Sequence, residues 1–166
     1  MTAGPKRSRL QVVLPRPTRP IDPAFRHPRP EDAPELGDLA LRAYRGTPDD
    51  GDVGTSPQEA AEEMGRVFDG TYGPPLLDAS YVLAHEDRLI AGALVTLWKD
   101  GPLLAYLFTA PEHVGKGLGS RLVNAVMAAL GDLGHTSLNL AVTEDNRAAR
   151  RLYERLGFVV VQGRSV

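Results

Sequence analysis

The chain of 166 residues contains no cysteine. Disulfides, thiolate metal sites and any cysteinyl acyl-enzyme are therefore excluded. Its four histidines, His27, His85, His113 and His135, are scattered without ligand spacing, so no metal is expected. No apolar run approaches the roughly eighteen residues of a membrane span, and the N-terminus lacks an apolar signal-peptide centre. A large charge of one sign is also missing. The net charge of −2 argues against a general nucleic-acid binder, which carries a basic face. The expectation is a metal-free, cytoplasmic protein with one folded domain, no membrane contact and no nucleic-acid partner.

Proline and basic residues are concentrated at one end. Residues 1–30 hold seven of the fourteen prolines and seven basic residues against one acid, Asp22. Leu10 to Leu14 reads as a short edge strand, and the prolines after it oppose regular structure. Residues 1–23 are accordingly expected to form an extended, solvated arm, and residues 24–166 the folded domain.

Within that domain, Glu31 to Tyr44 has a helical apolar stripe of Ala33, Leu36, Leu39, Ala40 and Ala43. A loop follows, and Ser56-Pro57-Gln58-Glu59 opens a second helix as a capping box with proline at the first position. Gly70 marks its end. Tyr81 to Ala84 and Leu89 to Trp98 read as strands joined by a hairpin turn at His85 to Arg88, and Leu103 to Thr109 as the next strand. Strand periodicity returns at Leu138, Leu140 and Val142, and a final strand is expected over Phe158 to Gln162.

The most informative segment is Thr-Ala-Pro-Glu-His-Val-Gly-Lys-Gly-Leu-Gly-Ser, residues 109–120. It leaves an apolar strand and enters a helix marked by Leu118, Leu122, Val126 and Leu130. Gly115, Gly117 and Gly119 permit close approach of the backbone to a ligand, and the helix N-terminus adds positive potential. This arrangement suits a phosphate. It is not a P-loop, because Lys116 is followed by Gly117 where Ser or Thr is needed. It is not a dinucleotide fingerprint, because Ser120 stands in place of the last glycine. A glycine turn without a ligand is the remaining structural alternative.

A second pattern lies downstream. Asn146 is a good N-cap, and Ala149, Leu152, Tyr153 and Leu156 form a stripe that ends at Gly157-Phe158. Taken locally, Asn146 could be a simple cap and Tyr153 a core aromatic. The glycine segment and this Asn-x-x-Ala-x-x-x-Tyr…Gly-Phe pattern together resemble the two signatures of the GNAT superfamily of N-acetyltransferases. The resemblance covers about residues 24–162. It implies a mixed α/β fold with a splayed, mostly antiparallel sheet and helices on both faces. It also implies acetyl-CoA as acyl donor and no metal.

By that resemblance, backbone amides of Gly115, Lys116, Gly117, Leu118, Gly119 and Ser120 cradle the pyrophosphate, and Val114, at the first position of the loop, also borders the cofactor. Phe108 and Thr109 flank the pantetheine arm, Asn146 and Ala149 hold it further along, and Tyr153 is the general acid. The expected reaction is direct attack by a primary amine, on a small molecule or a peptide, in a ternary complex. A homodimer is compatible with it. A non-catalytic acetyl-CoA sensor or assembly subunit is the alternative.

Two departures stand out. Val114 replaces the family's Arg or Gln, with Lys116 or Arg121 as substitute cations. The strand before the loop offers no Glu or His base: by simple alternation Leu103, Ala105 and Leu107 share one face, and Tyr106 alone is ionisable on the other. Glu86, Tyr44, Asp78 and Glu112 are the candidate bases. Glu31 to Ser80, the stretch that shapes the acceptor pocket in relatives, holds twelve acids against Arg42, Arg45 and Arg66. That balance favours a cationic amine, or merely solvates a helix face.

Overall fold

In a computed structural model that describes residues 6–14, 20–99 and 101–161, the chain forms a seven-stranded sheet and four α-helices. In chain order these are β1 (Arg7–Val13), β2 (Phe25–Arg26), α1 (Ala33–Tyr44), α2 (Pro57–Phe68), β3 (Tyr81–His85) and β4 (Arg88–Trp98). Then come β5 (Gly101–Thr109), α3 (Leu118–Asp132), β6 (Ser137–Thr143), α4 (Arg147–Arg155) and β7 (Val159–Val160). The strand order is β2-β3-β4-β5-β6-β1-β7, antiparallel throughout except for the β5–β6 junction.

Local chemistry explains most boundaries. The Ser56 hydroxyl accepts from the Glu59 amide at 3.1 Å and starts α2. Glu86 and Asp87 both have positive φ, the geometry of a type I′ turn between β3 and β4. Helices α1 and α2 pack closely because Gly37 has no side chain: a Cβ there would meet the Ala60 and Ala61 backbone at 2.6 Å.

The sheet separates two helical layers. Gly92 and Phe108 face Leu36 of α1, whereas the adjacent Leu107 faces the first turn of α3 near Gly119. Successive strand residues point to opposite faces. Helices α1 and α3 therefore cover opposite sides.

The segment expected as a detached arm is partly inside this sheet. All seven residues of β1 pair with β6, from Arg7 opposite Thr143 to Val13 opposite Ser137. On its other side β1 pairs with β7 at Leu10 and Gln11. It is thus an interior strand, not an edge, and Leu10 is 1% exposed. Local periodicity cannot reveal a partner some 130 residues away. The expected arm's Pro15 and Pro17, and Gln162 at the end of the expected last strand, lie outside the described residues.

A second correction concerns β5. Leu94 pairs with Tyr106 but Val95 with Leu104, so Ala105 is an extra residue and β5 carries a bulge. The bulge breaks the expected alternation. Leu103, Tyr106 and Phe108 fall on the α1 face, and Leu104 and Leu107 on the α3 face.

Because Leu10 sits in the core between two strands, Leu10→Ala should destabilise the protein by about 2–5 kcal/mol. Urea unfolding measures this. A loss within experimental error would mean that β1 is not part of the cooperative fold.

Candidate active site

The site arises where the sheet comes apart. Strands β5 and β6 are paired in register only at Leu103 and Asn139. Towards Thr109 and Thr143 they diverge and open a cleft of about 320 Å³. Its walls include Leu104 to Thr109 of β5, Ala141 to Thr143 of β6, Tyr44 of α1 and Asn146, Ala149 and Tyr153 of α4. The point of divergence is pinned by the buried Asn139. Its Oδ1 accepts from Gln11 at 3.0 Å and Arg9 at 3.2 Å, and its Nδ2 donates to the Pro102 carbonyl at 3.4 Å.

At the outer end of β5 the glycine turn takes over. Gly115 and Gly117 have φ of 88° and 77°, left-handed values that a side chain resists, and Gly117 is the N-cap of α3. The first bond into α3 is Arg121 N–H to Gly117 O at 3.1 Å. The amides of Leu118, Gly119 and Ser120 precede it and have no partner within the helix. They border a hollow of about 420 Å³ together with Thr109, Val114, Gly115, Gly117, Leu152 and Arg155. Gly119 keeps the α3 N-terminus close to α4: a Cβ there would lie 3.2 Å from the Leu152 side chain, a tight contact.

Most residues picked from sequence line one of these two spaces. Phe108, Asn146, Ala149 and Tyr153 border the cleft, and Gly115, Gly117, Leu118 and Ser120 the hollow, with Thr109, Val114 and Gly119 common to both. The Leu118 side chain is buried in the core, so only its backbone can serve the hollow. Val114 is 68% exposed rather than packed inward. Lys116 Nζ lies 3.0 Å from His113 Nδ1. Arg121 is paired with Asp22 and stacked over Phe25. Arg155, not foreseen, borders the hollow from the last turn of α4.

Asn146 and Tyr153 sit in a polar environment that no local pattern reveals. Asn146 Oδ1 accepts from the Ala149 amide at 3.1 Å, and its Nδ2 donates to Asp49 at 2.8 Å. Thr143 donates to the other Asp49 oxygen at 2.6 Å. Burial, with the Asp49 charge adding to it, pushes the Tyr153 hydroxyl above an ordinary phenol. A free phenol lies at about 10 and a thiol at about 8.5, and burial widens that gap for Tyr153. Tyr153 holds its proton tightly.

Of the candidate bases, only Tyr44 borders the cleft. It is half-buried, desolvation drives its pKa up, and it donates to the Leu107 carbonyl at 3.2 Å. Glu86 stands in the exposed hairpin turn, Asp78 is exposed, and Glu112 pairs with Arg42 at 3.3 Å. Tyr106 also donates, to Glu63 at 2.6 Å, and the same carboxylate accepts from Tyr72 at 2.7 Å and Arg66 at 3.0 Å. Burial, with Glu63 reinforcing it, pushes Tyr72 up to about 12. The carboxylates missed from sequence are Asp49, Asp52 and Glu63. They come from the loop after α1 and from α2, far along the chain from the two signatures.

Among the described residues no group of His, Asp or Glu is arranged to hold a metal, and no helix is long and apolar enough to cross a membrane.

Comparison with known proteins agrees with the geometry. A mycothiol acetyltransferase from Acidimicrobium ferrooxidans is 32% identical over 152 residues, covering 87% of this chain and 46% of that protein. The chain spans about half the length of the curated relatives it first matches. A GCN5-related N-acetyltransferase from Sphaerobacter thermophilus superposes with a TM-score of 0.70 at 15% identity, over 93% of this chain and 48% of that one. The PaiA N-acetyltransferase from Thermoplasma acidophilum, solved with coenzyme A, gives 0.64 at 18% identity over 85% and 92%. The Acetyltransferase (GNAT) family model matches residues 37–158. With a splayed sheet, a glycine turn at a helix N-terminus and a sequence match over most of its length, the chain belongs to the GNAT family of acetyltransferases.

Proposed function

We propose that the protein transfers the acetyl group of acetyl-CoA to the primary amine of a small molecule, by direct attack while both substrates are bound. The observation that carries this reading is the continuity of the two spaces. The hollow at the α3 N-terminus and the cleft between β5 and β6 share Thr109, Val114, Gly119 and Leu152. A ligand with an anionic head and a long polar arm fits that shape. The head takes the amides of Gly115 to Ser120 and the dipole of α3. The arm lies along β5, where the strand has lost its β6 partner and its backbone groups need one.

In this reading Asn146 has a second Nδ2 hydrogen left for the arm, because Asp49 takes one and the N-cap uses only the oxygen. Arg155 supplies the cation near the phosphates that Val114 does not. Tyr153 gives its proton to sulfur as the C–S bond breaks. Because a phenolate buried beside Asp49 is costly, the proton must be replaced within the same turnover. The nitrogen of the new amide is its source.

Three measurements test the reading. Gly117→Glu places a side chain and a negative charge where the phosphates belong. A Cβ at Gly117 meets nothing within 4 Å, so the fold should survive with a strain of about 1–2 kcal/mol. CoA should then no longer raise the melting temperature, whereas unchanged stabilisation by CoA would reject the cradle.

Val114→Arg should tighten CoA binding about tenfold, since a charge-assisted hydrogen bond is worth ~1.5–3 kcal/mol before ordering of the side chain is subtracted. Calorimetric titration decides it, and unchanged affinity would mean that the phosphates are already satisfied.

Tyr153→Phe removes only a hydroxyl. Turnover, read as thiol release with a panel of amines, should fall by about a hundredfold or more while CoA affinity barely changes. Full activity in this variant would reduce Tyr153 to a packing residue.

A further inference from the structure

At the α2 end of the cleft, among the described residues, most carboxylates are already committed. Asp49 accepts from Thr143 with one oxygen and from Asn146 with the other. Glu63 accepts from Tyr72, Tyr106 and Arg66. Tyr44 and Tyr106 are donors, and burial keeps both protonated.

Asp52 differs. One nitrogen of Arg7 grips its carboxylate at 3.0 Å from each oxygen, and the side chain remains 30% exposed. Each oxygen keeps a lone pair for another proton. Asp52 also lines both the cleft and a neighbouring hollow bordered by Glu59, Glu62 and Glu63 of α2. A molecule crossing from that hollow to the cleft passes this carboxylate.

Resting on the acetyl-transfer reading above, the geometry points to Asp52 as the group that takes the proton from the incoming ammonium. Its carboxylate accepts one proton, and the freed lone pair forms the C–N bond at the thioester carbon. When the C–S bond breaks, its electron pair leaves with sulfur, which receives the Tyr153 proton. A second nitrogen proton then restores Tyr153, and the third remains on the amide. Asp52 releases its proton to water through its exposed edge.

The groups around Asp52 suit the role. Arg7 of β1 fixes its orientation and lowers its pKa, whereas Asp49 in the same loop and Glu63 of α2 raise it. Burial is the largest influence and also raises it, so Asp52 lies above an ordinary carboxylate. Tyr44 of α1 feels the same charge. A base raised in this way is better matched to an ammonium. Because the ionised form is the active one, kcat/KM should rise with pH through this raised pKa.

Asp52→Asn keeps the shape and the exposure of the side chain. Wild type and variant are compared for thiol release with ethylamine, which is protonated at neutral pH, and with trifluoroethylamine, which is not. Acetyl-CoA binding and thermal melting are measured alongside. With ethylamine the variant should lose about a hundredfold in kcat/KM, together with the acidic limb of the pH profile. With trifluoroethylamine it should nearly match wild type. Equal losses with both amines, or no loss with ethylamine, would overturn the role of Asp52. Failure of wild type to bind acetyl-CoA would instead remove the acetyl-transfer reading.

Discussion

The parting of β5 from β6 is the constraint on which the rest of the molecule depends. A parallel pair that stays in register would satisfy its own backbone and leave no room for a ligand. Here the pair holds at Leu103 and Asn139 and then opens. Two features force the opening. Asn139, tied to Gln11, Arg9 and the Pro102 carbonyl, fastens the strands at one point. The extra residue Ala105 then puts a bulge in β5, and a bulge bends the strand that carries it. Beyond that point β5 carries backbone groups without a strand partner, and an unpaired buried group is costly. The Tyr44 hydroxyl answers one of them, the Leu107 carbonyl. The rest of the exposed strand offers a bonding edge.

A sheet opened in this way has to be held together across the gap. The loop after α1 does so with carboxylates. Asp49 bonds to Thr143 at the end of β6 and to Asn146 at the start of α4, and Asp52 bonds to Arg7 of β1. Hydrogen bonds to an ionised group are about twice as strong as neutral ones, and partial burial shields them from solvent. The same contacts orient the Asn146 amide and set the charge felt by Tyr153 and Tyr44. The brace between the halves and the electrostatics of the cleft are one set of interactions.

This division explains what could be read from sequence. The glycine turn was legible because its cause is local: a strand end, left-handed residues and a helix start lie within a dozen positions. The α4 cap and stripe were legible for the same reason, and so was the order of helices and strands from Ala33 to Tyr153. The interior place of β1 was not, since Leu10 pairs with Leu140 on one side and Val160 on the other, both far along the chain. The bulge at Ala105 was invisible because strand alternation carries no mark of an inserted residue. Asp49 and Asp52 carry no local pattern within their loop, because their partners are 94, 97 and 45 residues away.

The missing strand base and the committed tyrosines have a common physical basis. Tyr44 and Tyr106 flank the bent strand on the α1 face, where burial raises both and leaves them donors. A carboxylate on β5 at that place would be buried beside Glu63, and two such charges could not both ionise cheaply. Placing Tyr106 there instead gives Glu63 a donor and keeps the strand neutral. Negative charge is displaced to the loop and to α2, where solvent reaches it and Arg7 and Arg66 partly balance it. The cleft thus has neutral donors along the strand and proton acceptors at its open end. That polarity suits an anionic ligand entering from the α3 end and a cationic one from the α2 end, because each meets its complement before the two meet each other.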